Sequence, residues 1–155
     1  MALKEGVKAP NFTLSDQNGI THKLSDYLGK KIVLYFYPKD DTPGCTKEAC
    51  SFRDNFSSYR AAGIEVLGVS PDNEKSHTKF QKKYQLPFVL LSDEDHKVSE
   101  LYDVWGTKKF MGNEYDGIYR TTYVINEVGV ILKTFEKVKP DEHANEILTV
   151  LKIQE

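Results

Sequence analysis

The 155-residue chain has little of several features that mark large classes of protein. Its longest apolar run covers residues 32–37, far short of the roughly 20 residues that cross a bilayer as a helix. The net charge is −2, so no strong overall field attracts nucleic acid or an anionic membrane. The N-terminus has no apolar stretch that resembles a signal peptide. These absences favour a cytoplasmic protein with no nucleic-acid or membrane partner.

Cysteine is also scarce, and this limits the roles open to Cys45 and Cys50. Structural disulfides are rare in reducing cytosol, and a chain of this length can bury a core without one. A structural zinc site usually needs four Cys or His ligands, and the histidines here show no His-x3-His pairing. We therefore expect no metal, and we interpret the histidines as surface or capping residues. They are His22, His77, His96 and His143.

The order of the predicted elements indicates one α/β domain over residues 1–155. The predicted strands cover residues 11–15, 20–24, 32–37, 64–69, 89–91, 121–125 and 130–135. The predicted helices cover residues 43–62, 73–84 and 92–102, and a last helix begins at Pro140. We expect a three-layer α/β/α sandwich with a mixed sheet and an N-terminal hairpin, in which the buried strand 32–37 is central.

Cys45 lies where the expected central strand passes into the first long helix. In open α/β sheets, functional sites form beyond the carboxyl ends of the strands. Thr42 is suited to cap this helix and Pro43 to occupy its first position, which places Cys45 in the first turn. Unpaired N–H groups and the positive end of the helix dipole favour an anion there. The sequence therefore predicts that Cys45 is a reactive thiolate.

Cys50 lies five residues further along the same helix, about 140° around its axis. Cys45 shares the core-facing stripe with Ala49 and Phe52, whereas Cys50 does not. In an intact helix the two cysteine Cα atoms would be about 8.5 Å apart, beyond the roughly 7 Å that a disulfide spans. A bond between Cys45 and Cys50 therefore requires the first turns of the helix to unwind.

The segment from Pro38 to Cys50 resembles the Pro-x3-Thr-x2-Cys signature of the peroxiredoxins. Within that family, Thr-Pro-Gly-Cys-Thr-Lys-Glu-Ala-Cys at 42–50 is similar to the bacterioferritin-comigratory-protein or peroxiredoxin Q branch. Leu-Ser-Asp-Glu-Asp-His at 91–96 and Arg-Thr-Thr-Tyr-Val-Ile at 120–125 extend the resemblance over nearly the whole chain. It implies a thioredoxin-like fold and an antioxidant thiol peroxidase that reduces hydrogen peroxide and organic hydroperoxides without a cofactor.

The resemblance also implies a role for each residue of the signature. Cys45 would attack the peroxide and become a sulfenic acid, and Cys50 would resolve it as an intramolecular disulfide. Thioredoxin, or a glutaredoxin-like dithiol, would then reduce that bond. Thr42 would place its hydroxyl beside the sulfur and the peroxide, Pro38 would shape the loop, and Arg120 would bring its guanidinium next to Cys45.

Four further residues are expected to have supporting roles. Glu48, one turn after Cys45, resembles the family's glutamate that orients the arginine. Trp105, Phe110 and Met111 are candidates for an apolar wall of the substrate pocket, although ordinary packing accounts for them equally well. Because Cys50 supplies the partner within the chain, a monomer is favoured.

Three other functions compete with a peroxidase. A thioredoxin-type disulfide reductase usually carries Cys-x-x-Cys, which pairs within an intact helical turn, whereas four residues separate the cysteines here. A copper-delivering thioredoxin-fold protein uses a Cys-x3-Cys pair and a distant histidine, for which His143 is the candidate. A cysteine hydrolase needs a histidine base near Cys45, and no local signature indicates one.

Overall fold

A computed structural model of the chain describes residues 2–151 and has a mixed seven-stranded sheet at its centre. The strands are β1 (Thr13–Asp16), β2 (Thr21–Lys23), β3 (Lys31–Phe36), β4 (Ile64–Ser70), β5 (Val89–Ser92), β6 (Trp105–Phe110), β7 (Asn113–Ile118), β8 (Thr121–Ile125) and β9 (Ile131–Phe135). The sheet order is β2-β1-β5-β4-β3-β8-β9, and β6 and β7 form a separate hairpin. The helices are α1 (Pro43–Asp54), α2 (Phe56–Ala61), α3 (Glu74–Tyr84), α4 (Lys97–Leu101) and α5 (His143–Val150), and a 3-10 turn covers Leu24–Tyr27. None of the helices within residues 2–151 is long and apolar enough to cross a membrane.

Strand β3 lies inside the sheet, parallel to β4 and antiparallel to β8. Its side chains alternate between two cores because successive residues of a strand face opposite sides of a sheet. Ile32, Leu34 and Phe36 pack in one core, which includes residues of α4 and the N-terminal segment. Val33 and Tyr35 pack in the other core, beneath α1, α3 and α5. The predicted thioredoxin-like α/β fold with a mixed sheet and an N-terminal hairpin is confirmed.

The single helix predicted over residues 43–62 is wrong, because the chain interrupts it at Asn55. The backbone of Asn55 has φ −104° and ψ 9°, and its side-chain amide donates to the carbonyl of Ser51 at 2.9 Å. A short polar side chain that bonds the neighbouring backbone competes with helical hydrogen bonds. Gly63, with φ 72°, follows α2 and ends it, as glycine often does after a helix.

Two other helices begin later than the sequence pattern suggests. The helix predicted from residue 92 begins only at Lys97, since Ser92 ends β5; the Asp93 carboxylate accepts from the N–H groups of Val98 and Ser99 in the first turn of α4. His96 takes up a left-handed conformation with φ 50°, so α4 starts only after it. The last helix begins at His143 rather than at Pro140.

The β6–β7 hairpin was not predicted from the sequence. Its strands are largely exposed and polar, so they lack the apolar alternation that identifies a half-buried strand. Its two turn residues, Met111 and Gly112, both have positive φ. That conformation is typical of a type I′ turn, but Met-Gly is not one of its usual sequences. The hairpin leads directly into Arg120 and β8.

Candidate active site

Cys45 lies in the first turn of α1, as predicted, and is almost completely buried, with 1% exposure. Thr42 occupies the N-cap position with extended backbone, and Pro43 is the first helical residue. The Thr42 hydroxyl, however, donates to the carbonyl of Lys39 at 2.8 Å and makes no capping bond to the helix. Thr42 therefore holds the predicted N-cap position, but its hydroxyl stabilises the preceding loop instead of the helix.

Arg120 reaches Cys45 because of the register of the sheet. Strand β8 is antiparallel to β3 and pairs Thr121 with Phe36, so Arg120 lies at the end of β3 where the chain turns toward α1. Its Nη2 donates to Cys45 Sγ at 3.3 Å, and its Nη1 donates to Glu48 Oε1 at 2.6 Å. One guanidinium thus contacts the cysteine sulfur and a carboxylate at the same time, which suits its rigid planar arrangement of donors.

Glu48 is fully buried beside this arginine. Burial raises the pKa of its carboxyl to about 7, and the opposing effect of the Arg120 charge only partly offsets this. Within residues 2–151, Oε2 of Glu48 has no hydrogen-bond partner. The carboxyl therefore orients Arg120 through one oxygen, while its charge is poorly solvated.

The raised pKa of Glu48 makes the stability of the fold depend on pH. The folded protein holds a proton on this carboxyl from the ordinary value of 4.5 up to about 7, whereas the unfolded chain releases it. Stability contributed by Glu48 is therefore complete below pH 4.5 and is lost as the pH rises through about 7. We expect the free energy of unfolding in urea to increase for Glu48→Gln relative to the wild type as the pH rises across this range, by up to about 3 kcal/mol.

The exposed Glu94 provides the matched control for this experiment. Glu94→Gln should track the wild type at every pH, because this side chain lies in solvent in the folded protein as it does in the unfolded chain. A constant difference between Glu48→Gln and the wild type from pH 4.5 to 8 would contradict the raised pKa.

Gly44 leaves the space in which the guanidinium approaches the helix. A Cβ atom at this position would lie 3.1 Å from Arg120 Nη2, closer than such contacts usually are. The sequence singled out Gly44 only as part of a motif, and nothing in the local pattern identifies it as a neighbour of Arg120. Glycine is required at position 44 because of Arg120, which is remote in the sequence.

We expect Gly44→Ala to displace the Arg120 guanidinium from Cys45 and to slow the reaction with peroxide by about 3- to 10-fold. Alanine favours the helix by about 1 kcal/mol over glycine, so a slower reaction cannot be attributed to unfolding. Stopped-flow measurement of Cys45 oxidation tests this, with the exposed Lys47→Ala as the control on the same turn. An unchanged rate for Gly44→Ala would remove the steric requirement.

Cys50 differs from Cys45 in its surroundings. It is half-buried, and burial raises the pKa of its thiol, an effect that Arg53 partly offsets. Both cysteines are free thiols, and α1 is continuous through them. The two thiols thus lie in an intact helix, which has to unwind before they can form a disulfide.

The surroundings of the other predicted site residues say less about their roles. Pro38 is half-buried directly after β3, at the start of the loop that leads to Cys45. Trp105 packs against the core and stacks on the ring of His96, with centroids 4.0 Å apart. Phe110 and Met111 are 65% and 85% exposed at the tip of the β6–β7 hairpin. Such exposure is typical of a surface turn, so their pocket role stays a prediction.

Lys108 is a residue near the site that the sequence did not reveal. It lies on β6, and its Nζ donates to the carbonyl of Ile118 at 2.8 Å. Burial lowers the pKa of Lys108, and the charge of Arg120 lowers it further, while Cys45 opposes the change. A second cation therefore contributes to the field around Cys45. No local signal identifies Lys108, since only the pairing of the hairpin brings it there.

The expectation that all the histidines are surface or capping residues is wrong for His77 and His143, which are fully buried. His143 shares the apolar stripe of α5 with Ile147, and this spacing was the signal available in the sequence. Its ring nitrogens lie 2.7 Å from Thr122 Oγ1 and 2.9 Å from Glu146 Oε1. Both nitrogens are thus engaged, which weakens the copper-binding interpretation.

Comparisons with known proteins find similar sequences and similar structures. The profile of the AhpC/TSA family matches residues 6–134. Peroxiredoxin Bcp of Bacillus subtilis (strain 168) is 51% identical over 152 residues, covering 98% of this chain and 97% of that protein. A mutant structure of Xylella fastidiosa PrxQ has a TM-score of 0.92 at 34% identity and covers 98% of this chain and 97% of its own. A structure of the Xanthomonas campestris bacterioferritin comigratory protein, described for its alkyl peroxide reduction activity, has a TM-score of 0.86 at 37% identity, with coverage of 91% and 90%.

Proposed function

Because the chain belongs to the AhpC/TSA family, and within it to the Bcp or peroxiredoxin Q group of thiol peroxidases, we propose that Cys45 is its peroxidatic nucleophile. Hydrogen peroxide and organic hydroperoxides are the proposed substrates. The alkyl peroxide activity described for the Xanthomonas campestris relative supports the second class. The observation that carries the proposal is the 3.3 Å contact between Arg120 Nη2 and Cys45 Sγ at the start of α1.

The first step is a displacement on the terminal peroxide oxygen. The Cys45 thiolate forms an S–O bond as the O–O bond breaks, which gives a sulfenic acid and an alkoxide or hydroxide. That leaving oxygen takes a proton and departs as an alcohol or as water. Arg120 and the first-turn N–H groups of α1 stabilise the negative charge as it moves from sulfur to oxygen. The Thr42 hydroxyl, held by Lys39, is proposed to hydrogen-bond the peroxide.

The second step joins Cys45 to Cys50. The Cys50 sulfur attacks the sulfenic acid, a disulfide forms, and the sulfenic oxygen leaves as water. The intact α1 has to unwind first, since Cys50 lies outside the reach of Cys45 in a helix. The break at Asn55 separates this segment from α2, so unwinding of α1 does not require α2 to unwind. Glu48 moves with the unwinding turn, which would release Arg120.

The proposed function also includes a reductant, an oligomeric state and a cellular location. Thioredoxin, or a glutaredoxin-like dithiol, reduces the Cys45–Cys50 disulfide and returns the enzyme to its thiol form. The chain is proposed to act as a cytoplasmic monomer, with residues 1–155 as one thioredoxin-fold domain. No metal or organic cofactor is needed for the chemistry, and no nucleic acid or membrane partner is proposed.

The test is turnover of the wild-type protein with hydrogen peroxide and with cumene hydroperoxide. NADPH oxidation through thioredoxin reductase and thioredoxin should depend on both the peroxide and the protein. Mass spectrometry of the protein treated with one equivalent of peroxide should show the loss of two hydrogens, as a Cys45–Cys50 disulfide requires. Absence of peroxide consumption, together with insulin reduction or with tight copper binding, would favour the disulfide reductase or the copper-delivery function instead.

A further inference from the structure

A buried polar cluster lies behind the loop of residues 38–42, which joins β3 to α1. Asp40, in this loop, is 7% exposed, and His77, on α3, is fully buried. Their side chains meet with 2.6 Å between Asp40 Oδ2 and His77 Nδ1. The other ring nitrogen, Nε2, lies 2.9 Å from the carbonyl oxygen of Leu91 on β5. The proposed peroxidase chemistry uses none of these groups.

These contacts fix the number of protons on the pair. A carbonyl oxygen only accepts hydrogen bonds, so His77 Nε2 carries a proton and donates it to Leu91. Two unprotonated acceptors would repel at 2.6 Å, so a second proton lies between His77 Nδ1 and Asp40 Oδ2. Whichever of the two groups holds it, the pair carries one proton more than a neutral imidazole and a carboxylate.

The remaining hydrogen bonds of Asp40 connect the pair to α3 and to the segments that follow β3 and β4. The Tyr37 hydroxyl donates to Oδ1 at 2.5 Å, and the Ser76 hydroxyl donates to Oδ2 at 2.8 Å. The backbone N–H of Asp40 donates to Asp72 Oδ2 at 2.8 Å. The titratable or charged groups that face the pair are therefore Tyr37 and Asp72, with Asp41 and Lys83 paired at 2.8 Å on the exposed side of the loop.

The same cluster brings carboxylate and imidazole ligand atoms within 4.8 Å of one another. A cation there would have to displace donors that these atoms already bind. Asp72 Oδ2 accepts from Ser70 Oγ at 2.7 Å as well as from the Asp40 backbone. Hydrogen bonds among these groups therefore account for the cluster, and we infer no metal site from it.

We propose that Asp40 and His77 are positioning residues, whose shared proton holds the 38–42 loop in the conformation that presents Cys45 to Arg120. This inference rests on the proposed function for its consequence. The connection runs along the chain and through the core. Asp40 lies two residues before the N-cap of α1, and Tyr37, its hydrogen-bond partner, packs in the same core as Cys45.

Loss of the Asp40 carboxylate would leave Nδ1 of His77 buried without its partner and would remove the bonds from Tyr37 and Ser76. The 38–42 loop would then be held less firmly before the N-cap of α1. Cys45 would be less well aligned with Arg120, and α1 would unwind more readily. The pair is thus expected to oppose local unwinding of the Cys45–Cys50 segment.

Asp40→Asn removes the carboxylate but keeps the shape of the site. Its amide can donate one N–H to Nδ1 of a neutral His77 and the other to Ser76, while its oxygen still accepts from Tyr37. The variant thus keeps the hydrogen bonds. Asp40→Ala removes the bonds altogether. Asp41→Asn is the control, since it removes the charge that pairs with Lys83 and keeps a residue type that tolerates the left-handed conformation of position 41, where φ is 56°.

The measurement is hydrogen exchange of α1 amides in the reduced protein at about pH 7, as protection relative to the intrinsic rate. Asp40→Ala should lower this protection by about 10- to 100-fold and should react more slowly with peroxide, whereas Asp41→Asn should match the wild type. Asp40→Asn should restore most of the protection, because it keeps the hydrogen bonds.

An Asp40→Ala protein with the wild-type protection of α1 would overturn the inference, as would an Asp40→Asn protein no better protected than Asp40→Ala. A second readout on the wild type does not depend on any variant folding. Proton and nitrogen NMR at about pH 7 should show the proton shared by His77 Nδ1 and Asp40, shifted far downfield. An unprotonated Nδ1 beside an ionised Asp40 would equally overturn it. Neither experiment requires peroxide, so their failure is distinct from a failure of the proposed peroxidase.

Discussion

Cys45→Ser is expected to abolish peroxide turnover, with a loss of at least about 10⁴-fold in the coupled NADPH assay. The serine hydroxyl is not ionised near neutral pH, and the displacement needs an anionic nucleophile on the peroxide oxygen. The fold should survive, because serine is nearly isosteric with cysteine. Arg120, which now donates to Cys45 Sγ, can donate to the hydroxyl instead. Urea unfolding of the variant checks that the loss is chemical.

Cys50→Ser is the matched control, since it removes the other thiol from the same helix. This variant should consume one equivalent of peroxide as fast as the wild type and then stop with thioredoxin as reductant. The sulfenic acid on Cys45 would persist and could be trapped with dimedone. Normal turnover of Cys45→Ser would refute Cys45 as the nucleophile. Normal turnover of Cys50→Ser would leave Cys45 in place and remove only the resolving role.

The placement of Cys45 was predictable because every signal for it is local. A buried apolar strand ends at Pro38, a Thr-Pro pair opens the next helix, and the cysteine follows within the first turn. Each of these features acts over a few residues, so no knowledge of the tertiary fold was needed. The same holds for the separation of Cys50 from the core-facing stripe, which follows from the period of the helix alone.

Arg120 was predictable only with the help of the family resemblance. On its own, an arginine before a strand is an ordinary surface residue. What brings it to Cys45 is the antiparallel pairing of β8 with β3, a contact between segments more than 80 residues apart. Gly44 and Lys108 depend on the same long-range arrangement. Gly44 belongs to the motif around Cys45, but the motif does not show that it faces Arg120, and no local pattern indicates Lys108.

The unpredicted hairpin and the wrong expectation for His77 also have their cause in contacts that the local sequence does not show. The hairpin β6–β7 is stabilised by pairing and a positive-φ turn rather than by an apolar face. His77 is buried because Asp40 and Leu91 satisfy both of its ring nitrogens, and those partners come from other elements. Polar residues in a core are invisible to hydrophobic periodicity, since their burial depends on partners that the local sequence does not contain.

Arg120→Ala is expected to slow the oxidation of Cys45 by peroxide by about 10²- to 10³-fold, measured by stopped flow with hydrogen peroxide in excess. The guanidinium donates to the sulfur at 3.3 Å and is fixed by Glu48 at 2.6 Å, so it is preorganised for charge that moves onto the leaving oxygen. Its removal takes away the main cation beside Cys45 and a hydrogen-bond donor for the developing charge. Arg60→Ala, an exposed arginine on α2, should leave the rate unchanged.

Two further measurements show whether Arg120 acts through its charge or through its shape. Arg120→Lys keeps the charge but lacks the planar fork that reaches both Cys45 and Glu48, so it should recover only part of the lost rate. In Arg120→Ala, Glu48 loses its partner, and its carboxylate becomes a buried, unpaired charge once it ionises. The stability deficit of this variant should therefore grow between about pH 6 and about pH 8. An Arg120→Ala protein with the wild-type oxidation rate would exclude Arg120 from the chemistry, and a deficit independent of pH would mean that the arginine does not stabilise the ionised Glu48.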